Sequence, residues 1–146
     1  MRAAPSRWDI TADIHKVWLV HDHREVPGVA DSIVRAVVAP VPISEASPVV
    51  MGALHEAPAH AATTIYDVGP SKVGFMSCAP GRYSVAPRMT TETFFVTSGL
   101  FYLTNQDGSA RRCVAGDTVV LPKGWSGQWD VVEQVTKVWI EVDPSY

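Results

Sequence analysis

From Ala61 onward the sequence is a series of short apolar stretches separated by turn residues. Stretches rich in β-branched and aromatic residues recur at a spacing of roughly ten residues, which is typical of an all-β sandwich or barrel. The pattern predicts little helix, and without an internal repeat it predicts one barrel, in which TFFVTSG and LFYLTN pair with each other. The predicted strands read ATTIYDV, KVGFMSCA, YSVAP, TFFVTSG, LFYLTN, SARRCV, DTVVLP, SGQWDVV and TKVWIEV.

Length and charge narrow the class of protein further. The 146 residues suit a single domain with one core, and the net charge of −3 does not suit a nucleic-acid-binding surface. Only Arg111 and Arg112 are adjacent basic residues, and we expect a solvated strand end there. No signal peptide or apolar run of about 20 residues is present, so we expect a cytoplasmic protein without membrane partners. Cys78 and Cys113 lie in predicted strands and are expected to be small buried side chains.

Two short motifs carry more specific information. The segment GDTVVLPKGWSG reads Gly116, five residues, Pro122, one residue and Gly124, which predicts a turn, a short strand and a second turn. Upstream, Glu92 is followed by six residues and then Gly99. These stretches resemble parts of the two cupin signatures, G-x5-H-x-H-x3,4-E-x6-G and G-x5-P-x-G-x2-H-x3-N. Cupins are small β-barrels.

The resemblance is closer to the ureidoglycine-aminohydrolase-like cupins and covers about residues 38–142. It implies a cupin-type double-stranded β-helix, a jelly-roll barrel, over residues 38–146, and an N-terminal arm over residues 1–37. It also implies a homodimer, in which we expect the arm to exchange strands. The further residues that match this group are Asp107, Gly108, Trp129, Glu133, Val135 and Lys137.

The metal site that the resemblance would imply is largely missing from the sequence. The second signature has a metal-binding histidine where this chain has Gly127. Counting back from Glu92 by the shorter spacing puts Ala86 and Arg88 at the two histidine positions of the first signature, and the longer spacing gives no histidine either. Glu92 alone remains of the four usual ligands, so we expect no metal and no other cofactor.

Five histidines occur elsewhere in the chain. The spacing of His21 and His23 puts two imidazoles on one face of a strand, which is a possible metal spacing. His55 and His60 precede the strands and are the alternative ligands at a barrel mouth. His15 has no partner at a motif spacing, and neither histidine pair has a cysteine or carboxylate at one.

Glu92 and Arg88 are the candidate catalytic residues. A carboxylate that points into an apolar barrel is costly to bury in its charged form. It therefore needs a cationic partner, or it becomes a proton donor or acceptor near neutral pH. Arg88, four residues earlier, is expected to pair with Glu92 or to anchor an anionic group of a ligand. A purely structural ion pair is the alternative.

Aromatic side chains are the candidate walls of a ligand pocket. Alternate residues of each barrel strand point inward, so Trp125 and Trp129 are expected on the same side as Gly127. They would flank a slot that suits an apolar or ring-shaped ligand, unless they simply fill the core. The other candidate ligand contacts are Tyr83, Arg82, Phe94 and Lys137.

Three functions are compatible with these residues. The first is a metal-independent enzyme of the isomerase, cyclase or lyase type, in which Glu92 transfers a proton and Arg88 orients an anionic or aromatic small molecule. The second is a non-catalytic metabolite-binding cupin with the same pocket. The third is a metal-dependent, aminohydrolase-like cupin with non-standard ligands, which the missing histidines disfavour.

Overall fold

The structure is a computed structural model that describes residues 9–19, 35–43 and 59–143. These residues contain no helix that is long and apolar enough to cross a membrane. The strands, in chain order, are β1 His60–Val68, β2 Ser71–Cys78, β3 Gly81–Val85, β4 Thr91–Asn105, β5 Ala110–Val114, β6 Thr118–Leu121 and β7 Gly127–Val142.

One antiparallel sheet folds into two layers because its two longest strands, β4 and β7, belong to both. The first half of β4 pairs with β6 and with the second half of β7, which also pairs with β2 and through it with β1. The second half of β4 pairs with β5 and with the first half of β7, which also pairs with β3. The predicted all-β, jelly-roll barrel is confirmed.

The predicted pairing of TFFVTSG with LFYLTN was wrong, because the two stretches are consecutive halves of β4. Gly99 bends this strand and does not reverse it: its φ is 95°, and the register against β7 shifts on both sides of it. A Cβ on Gly99 would lie 2.3 Å from the carbonyl oxygen of Gln134, so the two long strands cross very closely here. SGQWDVV and TKVWIEV are likewise one continuous strand, β7.

The core lies between the two layers and is centred on three aromatic rings. The ring of Phe101 stacks on Trp129 with 4.7 Å between centroids and an interplanar angle of 6°. The ring of Phe94 packs against Trp129 at 5.4 Å. Burial of side chains of this size contributes roughly 1.5–3 kcal/mol each. Cys78 and Cys113 are buried free thiols, as expected.

Two pieces of the chain before β1 are described: residues 9–19, in the predicted N-terminal arm, and residues 35–43, at its boundary with the predicted barrel domain. Residues 9–19 contain no strand and expose several large apolar side chains, among them Ile10 and Trp18. The second piece is attached to β2, because the backbone N–H of Val41 donates to Ser77 Oγ at 2.9 Å. Strand exchange by this arm within a homodimer stays a prediction.

Candidate functional site

Four charged side chains form a continuous ionic chain inside one end of the barrel, which we call the charge cluster: Lys137, Glu92, Arg88 and Glu141. Lys137 Nζ donates to Glu92 Oε1 at 2.5 Å. Arg88 Nη1 lies 2.9 Å from Glu92 Oε2, and Arg88 Nη2 donates to Glu141 Oε1 at 3.1 Å. The hydroxyl of Thr90 also donates to Glu141 Oε1. Positive and negative charges therefore alternate along the cluster and cancel.

Strand pairing brings the members of this cluster together. Glu92 and Glu141 are direct partners across β4 and β7, and Lys137 on β7 is the partner of Val96 on β4. Glu92 and Val96 are both buried and lie on the same face of β4, the face that points into the core. Lys137 is buried on this same side of the sheet. The tertiary pairing, rather than nearness in sequence, brings Lys137 to Glu92.

Burial of the charge cluster carries a desolvation cost, because its charged groups are taken out of water. Arg88, Glu92 and Lys137 expose less than a tenth of their side chains, whereas the side chain of Glu141 is 31% exposed. Charges taken out of water are tolerated when they are paired at short range, as they are here. Lys137 Nζ also lies 4.1 Å from the ring centroid of Phe94, and this cation–π contact offsets part of the desolvation cost. The cluster thus reaches from the core to the surface at Glu141.

Two polar atoms of the cluster make no hydrogen bond to any described residue. They are Arg88 Nε, a donor, and Glu92 Oε2, an acceptor whose 2.9 Å contact with Arg88 is ionic but poorly aligned for a hydrogen bond. An unsatisfied buried polar group costs about 1–3 kcal/mol. A neighbouring donor and acceptor of this kind can together bind a group that has both functions, such as a carbonyl oxygen beside an acidic C–H or O–H.

The motif from Gly116 onward holds Arg88 in place through the loop before β7. The backbone N–H of Arg88 donates to the carbonyl of Trp125 at 2.9 Å, and the N–H of Gly124 donates to the carbonyl of Arg88 at 2.8 Å. Gly124 makes this turn at a φ of 85°, a conformation that favours glycine. The Pro-x-Gly element therefore positions both Arg88 and Trp125.

Trp125 fills the slot that was expected beside Gly127. A Cβ built on Gly127 would lie 2.7 Å from Cζ2 of the Trp125 ring and 2.3 Å from the carbonyl oxygen of Thr104. The indole N–H of Trp125 donates to Asn105 Oδ1 at 2.9 Å, which fixes the ring. Gly127 thus has no room for a side chain, because β4 and Trp125 have closed on it.

The residues at the usual cupin metal position do not fit a metal ion. The third histidine position, Gly127, cannot carry a ligand, and both oxygens of Glu92 face a lysine or an arginine, which would repel a cation. The described part of the chain contains no cluster of three His, Cys, Asp or Glu side chains suited to a metal. His15 is exposed and His60 is buried. The candidate ligands His21, His23 and His55 lie outside the described residues.

The remaining predicted contact residues fall into separate places. Trp129 and Phe94 are 2% and 1% exposed and pack in the aromatic core, so neither lines an open space. Arg82 lies at the surface, where its Nη2 donates to Asp130 Oδ2 at 2.7 Å. Tyr83 is the β3 partner of Trp129, and its side chain lies outside the description.

A cavity of about 460 Å³ opens between the two layers on the side of β5 and β6, and we call it the β5–β6 cavity. It is lined by Leu103 and Asn105 of β4, residues 111–113 of β5, residues 117–121 around β6, and Trp125. Of these residues, the sequence analysis proposed only Trp125 as a ligand contact. Arg111 and Arg112 were expected to form a solvated strand end, and both side chains are exposed. The cross-strand partner of Arg111 is the buried Leu103, which places this arginine on the inner face of β5.

The thiol of Cys113 forms part of the cavity wall. Burial raises the pKa of this thiol, and the nearby carboxylate of Asp117 raises the pKa further. The thiol is therefore neutral at physiological pH and behaves as a small apolar surface.

Among known protein families, the model described as the EutQ-like cupin domain matches residues 67–139 of this chain. No curated protein sequence matches the chain.

Solved structures share the fold at low sequence identity. The EutQ protein of Clostridium difficile has a TM-score of 0.59 and 16% identity, covering 73% of this chain and 83% of that one. A putative ethanolamine utilization protein Q from Salmonella typhimurium LT2 has a TM-score of 0.52 and 19% identity, covering 58% and 70%. The Cnp3 cupin domain of Schizosaccharomyces pombe has a TM-score of 0.52 and 12% identity, covering 59% and 66%.

Proposed function

We propose a function for this chain on one premise: it belongs to the EutQ-like cupin domain family. Within that fold, the charge cluster supports a metal-independent enzyme of the isomerase, cyclase or lyase type that acts on a small anionic molecule. The observation that carries the proposal is the unsatisfied pair Arg88 Nε and Glu92 Oε2, a buried donor beside a buried acceptor. Such an arrangement suits the binding and deprotonation of one small polar group.

Arg88 is the residue that would orient the substrate. Its two terminal nitrogens are already engaged by Glu92 and Glu141, so its position is fixed before any ligand binds. The remaining Nε–H is then available to donate to a carbonyl or carboxylate oxygen, and a charged donor makes this hydrogen bond strong. The ionic chain reaches the surface at Glu141, which supports approach of the substrate from that end of the barrel.

Glu92 is the residue that would move the proton. Its Oε2 would take a proton from a carbon next to the substrate carbonyl, and the electron pair would pass to the carbonyl oxygen. The resulting enolate oxygen would accept the hydrogen bond from Arg88 Nε. For a substrate whose deprotonated carbon is next to a carbon–carbon double bond, return of the proton to the far carbon of that double bond completes an isomerisation without any other reactant. Lys137 and Arg88 supply fixed positive charge close to the developing negative charge.

The first test is proton exchange in D2O, followed by NMR on a panel of small 2-oxo acids with EDTA present throughout. The wild-type protein is expected to accelerate loss of the proton next to the carbonyl of at least one acid. Glu92→Gln is expected to slow that exchange at least about 100-fold, since it removes the base. Glu133→Gln, which changes an exposed carboxylate on β7 outside the charge cluster, is expected to leave the rate unchanged.

Several results would refute this role for Glu92. Exchange at the wild-type rate by a folded Glu92→Gln variant would exclude it as the base. Binding of an acid without any exchange would make the protein a non-catalytic metabolite-binding cupin. Exchange that appears only in a parallel run without EDTA would favour the metal-dependent alternative.

Metal content is a separate prediction of the same proposal. Protein purified without a polyhistidine tag or a chelator is expected to contain far less than one transition-metal ion per chain, because Lys137 and Arg88 occupy the surroundings of Glu92. Elemental analysis by plasma mass spectrometry checks this. One zinc, iron or manganese per chain, retained through dialysis, would contradict metal independence and direct attention to histidines outside the described residues.

A further inference from the structure

The β5–β6 cavity is a second site, distinct from the charge cluster. None of Arg88, Glu92 and Lys137 lines it, and its walls come from β4, β5, β6 and the loop that carries Trp125. Its volume of about 460 Å³ lies within the range of pockets that bind small organic molecules. The two sites are neighbours, because Leu121 in the cavity wall is the cross-strand partner of Glu92.

The charge of the cavity wall is positive in a chain whose net charge is negative. Arg111 and Arg112 contribute two positive charges and Asp117 one negative charge, whereas the whole chain carries −3. Asp117 is committed to the turn before β6, where its Oδ2 accepts from the N–H of Val114 at 2.8 Å. Neither arginine lies within ion-pairing distance of a carboxylate in the part of the chain that the structure describes. Hydrogen bonds from Ser109 and, to a smaller extent, the charge of Arg111 lower the pKa of Asp107.

The two arginines differ in the side of β5 that they occupy. Arg111 is the partner of Leu103, a buried residue, whereas Arg112 is the partner of Tyr102, which is 37% exposed. Because side chains alternate along a strand, Arg111 starts from the inner face of β5 and Arg112 from the outer face, and both side chains are exposed. Arg111 Nη1 makes only a weak contact, 3.3 Å, with the carbonyl of Ala110, so its guanidinium is available to a ligand.

Part of the remaining wall is aromatic or aliphatic. The indole N–H of Trp125 is used by Asn105, and its ring is fixed over Gly127, so the ring presents an immobile aromatic surface. Leu103 and Leu121 provide buried aliphatic surface, and the neutral thiol of Cys113 adds to it. A rigid aromatic wall lowers the entropic cost of binding a planar ring.

We propose that the β5–β6 cavity binds a small ring-containing carboxylate, with its ring against Trp125 and its carboxylate on the guanidinium of Arg111. The positive charge selects an anion, and the apolar surface selects a ring over a short chain. This site does not depend on proton transfer by Glu92.

Calorimetric titration with benzoate tests the proposal, with benzamide as a neutral ligand of the same shape. Benzoate is expected to bind the wild-type protein with a Kd below about 1 mM, and benzamide at least about tenfold more weakly. Arg111→Gln is expected to weaken benzoate binding at least about tenfold, a loss typical of a charged hydrogen bond. Arg112→Gln is expected to weaken benzoate binding less than Arg111→Gln does. Lys72→Gln, which removes an exposed cation that does not line the cavity, and Glu92→Gln are expected to change the Kd by less than about twofold.

Three outcomes would overturn the proposal. The first is no benzoate binding at concentrations up to about 10 mM, well above the expected Kd. The second is equal affinity for benzoate and benzamide, which would exclude selection by charge. The third is an unchanged Kd in Arg111→Gln, which would place the ligand elsewhere. Glu92→Gln is expected to bind benzoate even if it has lost proton exchange. This variant therefore tests the cavity independently of the proposed enzyme activity.

Discussion

Replacing Lys137 with methionine is expected to lower the free energy of unfolding by about 3–5 kcal/mol. Methionine has a similar length and suits the contacts with the rings of Phe94 and Trp129, so the packing is largely conserved. What is lost is the ammonium group 2.5 Å from Glu92 Oε1, which leaves a buried carboxylate with Arg88 as its remaining cationic partner. Denaturant unfolding followed by circular dichroism gives this free energy.

A matched control separates burial from charge in this prediction. Lys72→Met removes an ammonium group 3.4 Å from Asp67, in a pair whose side chains are 50% and 56% exposed. Exposed pairs contribute about 0–1 kcal/mol, so this variant is expected to keep nearly wild-type stability. The double variant Glu92→Gln, Lys137→Met is expected to be more stable than Lys137→Met alone, because it no longer buries the unmatched charge. A Lys137→Met variant as stable as Lys72→Met would show that the charge cluster is not the energetic constraint inferred from its geometry.

Replacing Gly99 with alanine is expected to destabilise the protein by about 2–4 kcal/mol, the sum of backbone strain and overpacking. The φ of 95° is unfavourable for any residue with a Cβ, and this Cβ would meet the backbone of Gln134 at 2.3 Å. Since the obstacle is backbone, it cannot rotate away. The strand crossing between β4 and β7 must therefore open, and thermal and denaturant unfolding would both detect the change.

Gly108→Ala is the internal control for Gly99→Ala. Gly108 has a similar φ of 82°, but a Cβ there meets no atom within 4 Å. This variant should lose only the stability that placing a residue with a Cβ at a positive φ costs, about 1 kcal/mol of the free energy of unfolding. Equal losses in the two variants would mean that the close crossing at Gly99 adds nothing beyond the glycine conformation.

Much of the barrel could be predicted because strand and turn signals are local. Apolar stretches between glycine, proline and asparagine turns place the strands, and the signature around Gly116 and Glu92 indicates the cupin fold. The same local reasoning divided β4 at Gly99 and paired its two halves with each other. A glycine with a positive φ can either reverse the chain direction or bend a continuous strand. Which of the two occurs at Gly99 depends on the pairing of β4 with β7, which follows much later in the chain.

Only part of the candidate site could be predicted from local sequence signals. Arg88 and Glu92 are four residues apart, so their pairing was a reasonable prediction, and the structure brings them to 2.9 Å. Lys137 was predicted as a ligand contact, but its pairing with Glu92 spans 45 residues and follows from the register between β4 and β7. Strand register over such a distance cannot be derived from the pattern of one strand.

The sequence by itself determined the class of fold, the positions of most strands, the absence of histidines from the usual cupin metal positions and the choice of Glu92 and Arg88 as candidate catalytic residues. Only the tertiary structure decided that Lys137 is the second cationic partner of Glu92 and that Trp125 covers Gly127. It also decided that a positively charged cavity opens between β5 and β6. The physical reason is that alternation along a strand encodes which face a side chain occupies, whereas its neighbours depend on how distant strands pair and pack.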